Sequence, residues 1–150
     1  MTTASARSEE PPPPSSEDAR LRMKRARRRD TRPEIELRSA LHRLGLRFRV
    51  DRAALPGLRR RADVLFPRAR VAVFTDGCFW HSCPEHGTWP KANAEWWRRK
   101  LEANRARDAD TDARLREAGW EVVRLWEHED MAAAARAVAQ RVQARVAAQG

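Results

Sequence analysis

The sequence predicts an α/β fold, a sandwich of helices around a small mixed sheet. Three observations carry this. A chain of 150 residues has room for one core, which by size scaling buries about two-thirds of the surface of the unfolded chain. Short strand-like runs, "RFRV" at 47–50, "ADVLF" at 62–66 and "VAVFT" at 71–75, come before a long helical stretch, and another, "EVVRLWE" at 121–127, comes after it. Helical periodicity also precedes the first run and follows the last, so the order is helix, three strands, helix, strand, helix. Nothing repeats internally.

Taken in order, residues 1–19, "MTTASARSEEPPPPSSEDA", are rich in Ser, Pro and Glu with almost nothing to bury, and are expected to be a disordered tail. Residues 20–32, "RLRMKRARRRDTR", form a basic block that reads either as an arm ordering on a phosphate backbone or as a solvated tail. The folded domain is expected over 33–130, with a C-terminal helix over 131–150. Thr31 as N-cap, Pro33 in the first turn and Glu34 closing a capping box mark a helix start. Leu37, Ala40, Leu41 and Leu44 follow at helical spacing, and Gly45 stops the helix. The second and third strands, separated by "PRAR", read as a hairpin.

A long helix is expected from Ala92 to Ala118. Trp97, Leu101, Asn104, Asp108 and Leu115 fall within about 60° of one another at 100° per residue, so two polar residues share an apolar stripe. The alternative is a break near "RDADTD" that leaves Asp108 merely exposed. After Gly119, "EVVRLWE" reads as a strand buried on both faces or nearly so. The tail carries Val138, Val142 and Val146 four apart and reads as a weakly amphipathic surface cover.

Lys and Arg total 31 against 21 Asp and Glu, a net charge of +10. That balance favours a polyanionic partner, most plausibly nucleic acid, although an Arg- and Ala-biased coding sequence would give the same excess. No apolar run approaches the roughly 20 residues that span a bilayer, and the N-terminus has no signal-peptide core. The expectation is a soluble chain in a reducing compartment, its two cysteines kept as thiols.

Those cysteines lie in "TDGCFWHSCPEH", residues 75–86. Cys78-x4-Cys83-x2-His86 offers three zinc-type ligands in one loop, and His128, past the last strand, could supply a fourth, giving a closed structural site. Two buried free cysteines beside surface histidines is the competing reading. Cytidine-deaminase chemistry is excluded, because Pro84 follows Cys83 and Glu85 lies inside the cluster, against the H-x-E and P-C-x-x-C order. His81 fits the ligand spacing less well and is either a general acid–base or a packed or solvent-facing imidazole. Asp63 and Asp76, near opposite ends of the hairpin sequence, can come together at a sheet edge where a hard cation could sit, a weak signal shared with restriction-type nucleases. Phe79 and Trp80, with Trp89, Trp96 and Trp97 after them, include adjacent loop aromatics that cannot both be buried in so small a core, so at least one is expected to be exposed. Either some stack on bases, or Trp97 and Trp80 form a satellite core.

"GCFWH", a following W-x-x-K helix, N-x3-D and G-W-x-V-x-x-x-W-E together resemble the very-short-patch repair (Vsr) DNA mismatch endonucleases, over about Met23 to Glu129. The resemblance implies a restriction-endonuclease-like three-layer sandwich of the PD-(D/E)XK type, a Mg²⁺ cofactor, a structural Zn²⁺, and nicking 5′ to the thymine of a T·G mismatch left by deamination of 5-methylcytosine. By the same resemblance Asp63 and the main chain of Thr75 hold Mg²⁺, His81 is the catalytic histidine, Asp108 assists it, and Glu34 is a further acid near the metal. Cys78, Cys83, His86 and His128 fall at the zinc positions. Phe79, Trp80 and Trp97 match intercalating aromatics, with Met23 entering from the other groove. The chain departs from the pattern at Asp76, where the best-known members have His, so Asp76 is a candidate third Mg²⁺ ligand and catalytic acid. Ala62 stands where Pro often precedes the metal aspartate.

The implied partner is double-stranded DNA with a T·G mismatch, with a functional link to a cytosine-5 methyltransferase and to general mismatch-repair proteins. A monomer, free of membranes and associated with the nucleoid in a prokaryotic cytoplasm, is expected. Competing readings are a binding module of the same fold that does not cleave, and a nuclease of this fold with another nucleic-acid target.

Overall fold

The computed structural model describes residues 31–77 and 93–149. The elements are α1 (Arg32–Arg43), β1 (Arg49–Ala53), β2 (Arg61–Phe66), β3 (Val71–Asp76), α2 (Ala94–Glu117), β4 (Glu121–Trp126) and α3 (Met131–Gln149). The four strands form one mixed sheet in the order β1-β2-β3-β4. β1 and β2 pair antiparallel, as do β2 and β3, and β4 runs parallel to β3. A parallel neighbour requires a crossover, and α2 lies in that connection. The described residues thus make a small mixed α/β fold of four strands and three helices.

Side chains alternate across the two central strands, and this period of two builds two cores. Val64, Phe66, Val71 and Val73 face α1 and α3, joining Leu37, Leu41, Leu125, Met131, Ala135, Val138 and Val142. Leu65, Ala72 and Phe74 face the other way, toward Leu115 of α2, with Leu58 and Val122. Residues 71–74 of β3 are all buried, which is why this strand reads as an unbroken apolar run.

α1 begins as the sequence predicts. The Thr31 N–H donates to a Glu34 carboxylate oxygen at 3.3 Å, satisfying one of the donors that a helix start leaves open. Its far end differs from expectation in one residue. Leu44 caps the helix and is 46% exposed, because Gly45 at φ +83° reverses the chain there. The Leu46 N–H then bonds to Leu41 O (3.1 Å) and the Gly45 N–H to His42 O (2.9 Å), a Schellman closure. The same pair of bonds ends α2, from Trp120 to Leu115 (2.9 Å) and from Gly119 to Arg116 (3.0 Å). A Cβ on Gly45 would meet nothing within 4 Å, so Gly45→Ala tests the left-handed backbone alone. It is expected to cost about 1–2 kcal/mol in chemical denaturation.

Three other expectations are corrected. β1 starts two residues later than "RFRV", because Phe48 stacks on His42 (centroids 4.5 Å apart) and packs against Phe66 (5.8 Å) on its way into the sheet. β4 is an edge strand, with Val122 and Leu125 buried and the rest half-buried, rather than covered on both faces. α3 is more than a surface cover. Six of its residues are buried, three of them Ala, and it packs against α1 to close the first core. Small side chains let the two helices approach, and they contribute little to a visible apolar stripe.

α2 runs unbroken through "RDADTD". Arg60 holds it to the start of β2, donating to Thr111 Oγ1 (2.6 Å), Asp110 Oδ2 (2.8 Å) and Arg107 O (3.0 Å). Thr111, absent from the predicted stripe, completes it. Trp97, Leu101, Thr111 and Leu115 are buried, with Asn104 and Asp108 half-buried between them.

Candidate active site

The site sits where β2 and β3 part. Their pairing ends at Val64↔Val73. Beyond it, Ala62 and Arg61 still pair with β1, while Thr75 and Asp76 pair with β4. The Thr75 N–H has therefore lost its cross-strand carbonyl, and Asp63 Oδ2 takes its place, accepting at 2.6 Å. Among the described residues the buried hydroxyl of the same threonine has no hydrogen-bond partner, an unmet polar group of a kind that folded proteins seldom keep.

Asp63 is a strongly perturbed acid. Burial raises its pKa first and most, the Thr75 N–H works against that, and the charges of Glu34 and Asp76 raise it further against a smaller opposing effect of Arg38, bringing it to about 7. A carboxylate so placed is costly to ionise unless a cation joins it. Glu34, from the first turn of α1, points to the same region and pairs with Arg38 at 3.6 Å. Asp63 thus bonds to Thr75 and feels the charges of both Glu34 and Asp76.

Asp76 has a different occupation from the one expected. It is 6% exposed, and both of its oxygens accept from Arg124 Nη1, at 3.0 and 3.2 Å. Among the described residues, that arginine is a partner that engages its carboxylate. Arg124, on β4, also takes Asp112 of α2 through Nε (2.9 and 3.0 Å) and Nη2 (2.7 Å). Asp108 lies 3.8 Å from Nη1, and its carbonyl accepts from Nη2 at 3.4 Å. The guanidinium lies over the Phe74 ring, 4.4 Å from its centroid. Burial opposes the charge on Arg124, but the bond to Asp112 and the fields of Asp76, Asp112 and Asp108 outweigh it and hold its pKa above the ordinary value. Asp108 is thus neither merely exposed nor idle; it belongs to this ion cluster.

Sequence reasoning missed Arg124, Asp112 and Arg38. A signal for the first was present: an arginine in the middle of "EVVRLWE" must either break the strand or find carboxylates.

The remaining candidates fall elsewhere. His128 is exposed in the turn after β4. Trp97 is 5% exposed and meets Trp96 edge to face, centroids 4.7 Å apart, so in the free chain its ring is a packing element and not an open stacking surface. Met23, Cys78, Phe79, Trp80, His81, Cys83 and His86 lie outside the described residues. Among the described residues, no three His, Cys, Asp or Glu side chains gather into a metal-holding group on side chains alone, and no helix is long and apolar enough to cross a membrane.

Against this geometry the relatives can be set. The chain is 46% identical over 118 residues to the type II nicking enzyme V.NaeI of Lentzea aerocolonigenes, an alignment covering 77% of this chain and 71% of that protein. The chain belongs to the Vsr family of DNA endonucleases. The family model, DNA mismatch endonuclease Vsr, matches residues 15–85. The type II nicking enzyme V.XorIIP of Xanthomonas oryzae pv. oryzae is 44% identical over 115 residues, 75% of this chain and 82% of that one. The DNA mismatch endonuclease Vsr of Escherichia coli is 41% identical over 103 residues, 66% and 62% of the respective chains.

Proposed function

We propose that this Vsr-family chain is a Mg²⁺-dependent endonuclease that nicks one strand of duplex DNA 5′ to the thymine of a T·G mismatch, the lesion left by deamination of 5-methylcytosine. The observation that carries the reading is Asp63, a buried carboxylate pushed up to about 7 and fastened to the β3 backbone at Thr75. The residues present fit a hard divalent ion. Asp63 and the Thr75 carbonyl would hold it with Glu34 nearby, and the added charge would offset the burial and the neighbouring carboxylates that raise the Asp63 pKa. When bound, Mg²⁺ supplies positive charge against the scissile phosphate.

The chain's own residues do the rest. His81 takes the proton of the attacking water and Asp108 supports that step. Phe79, Trp80 and Trp97, with Met23 from the other groove, unstack the duplex beside the mispair, which costs least where pairing is already weak. In the bound state Trp97 leaves its packing with Trp96. In this reading the parts sit on a restriction-endonuclease-like sandwich. Cys78, Cys83, His86 and His128 close a structural Zn²⁺ site beside them. The chain works as a monomer in the cytoplasm of its bacterium and follows a cytosine-5 methyltransferase, alongside general mismatch-repair proteins.

The test is single-turnover nicking on a duplex library that carries one T·G mispair in every flanking context. One-strand cleavage with Mg²⁺, confined to mispaired duplexes, is the expected result. Tight binding without a nick sinks the reading, as does equal cutting of an A-form substrate. For zinc, the purified chain is expected to carry one equivalent by elemental analysis, and Cys83→Ala is expected to lower the melting temperature. Metal-free protein of unchanged stability overturns that part.

A further inference from the structure

We propose that Arg124 withholds Asp76 from the metal, so that Asp63 is the sole carboxylate of the Asp63–Asp76 pair that serves the cation. Asp76 has what a second ligand needs. It follows Thr75 directly on β3, and its charge is felt at Asp63. Two aspartates brought to one place are oxygen ligands of the kind a hard divalent cation takes. Here both Asp76 oxygens are held by Arg124 Nη1, and Asp76 is itself buried.

Arg124 cannot easily release it. The guanidinium is fixed on one edge by the two-pronged contact with Asp112 and on its face by Phe74, with the Asp108 carbonyl taking Nη2. Asp112 and Asp108 come from α2, whereas Asp76 ends β3 and Arg124 lies on β4. The cluster therefore ties three elements together, and moving Asp76 toward a cation would give up both of its contacts with a half-buried arginine that Asp112 and Asp108 keep in place. Arg124 is a positioning residue in this scheme. It fixes which acid is available and touches neither DNA nor metal.

The inference rests on the cation reading above, so its test separates the two. Mn²⁺ serves as the probe, its binding read by the loss of the free-ion electron paramagnetic resonance signal in full-length protein without DNA. Arg124→Met frees the Asp76 carboxylate and is expected to tighten Mn²⁺ binding by about tenfold, the size of effect that supporting groups around metal sites usually have. Asp76→Asn in the Arg124→Met background is expected to reverse the gain. Asp76→Asn alone, which still accepts from Arg124, is expected to leave Mn²⁺ affinity within about threefold of the unsubstituted chain.

Two results overturn the inference while leaving the cation reading intact: an affinity unchanged in Arg124→Met, or a tenfold loss in Asp76→Asn alone. Absence of Mn²⁺ binding in every form overturns both. Should Arg124→Met fail to fold, Asp76→Asn alone still decides. Arg124→Lys adds a graded check, since it keeps the charge but loses the fork, and an intermediate affinity is expected.

Discussion

Asp63→Ala is expected to reduce single-turnover nicking of a T·G duplex on the order of 10³-fold or more, with DNA binding retained. Of the acids around the parting strands, Glu34 is bonded to the Thr31 N–H and paired with Arg38, and Asp76 is held by Arg124. Among the described residues, Asp63 accepts from Thr75 and on Oδ2 alone. It is therefore the carboxylate best placed to offer an oxygen to a cation facing the phosphate. Removing it also releases the Thr75 N–H, so the β3 end loses its anchor together with the ligand. Fluorescence anisotropy on the same duplex separates lost chemistry from lost binding. A variant that nicks within about tenfold of the unsubstituted chain would remove Asp63 from the reaction, because that is below what loss of a single charge-stabilising group usually costs.

The parts of this site that were legible in the sequence are those that depend on neighbours in the chain. Thr31 and Glu34 announce a helix start three residues apart, and Gly45 and Gly119 announce two stops, because caps and left-handed closures are local chemistry. β2 and β3 were legible because their central residues are buried on both faces, which leaves an unbroken apolar run. Asp63 stood out as a charge at the start of such a run.

What was not legible depends on distant partners. Arg124 and Asp76 are 48 residues apart, and no spacing rule joins the middle of one strand to the end of another. The sequence could show that each was anomalous, but not that each was the answer to the other. α3 escaped for a different reason, since Ala134, Ala135 and Ala139 make up half of its buried residues, and side chains so small do not mark a face. Trp97 could be read as stacking surface or as core from its position on the wheel, and only packing with Trp96 shows which face it has in the free chain.

Asp63→Asn is expected to stabilise the metal-free chain at pH 8 and to leave it nearly unchanged at pH 4. Burial first, then the charges of Glu34 and Asp76, raise the Asp63 pKa from 3.8 to about 7. Between those values the folded chain holds a proton that the unfolded chain has released. Stability therefore falls as pH rises through this window, and above about pH 7 the deficit is constant because both states are ionised. At about 1.4 kcal/mol per pKa unit the full deficit is on the order of a few kcal/mol. Asn carries no charge but still offers an oxygen to the Thr75 N–H, so the variant keeps the anchor and escapes the cost. Thermal melts at pH 4, 6 and 8 check the sign, and a difference in melting temperature that does not grow with pH defeats the prediction. Adding Mg²⁺ at pH 8 is expected to raise the melting temperature of the unsubstituted chain and not that of Asp63→Asn, since only an ionised Asp63 gains from the ion. A site that destabilises its own fold when empty is thus a measurable property of this chain, and its size reports how strongly the fold is prepared for a cation.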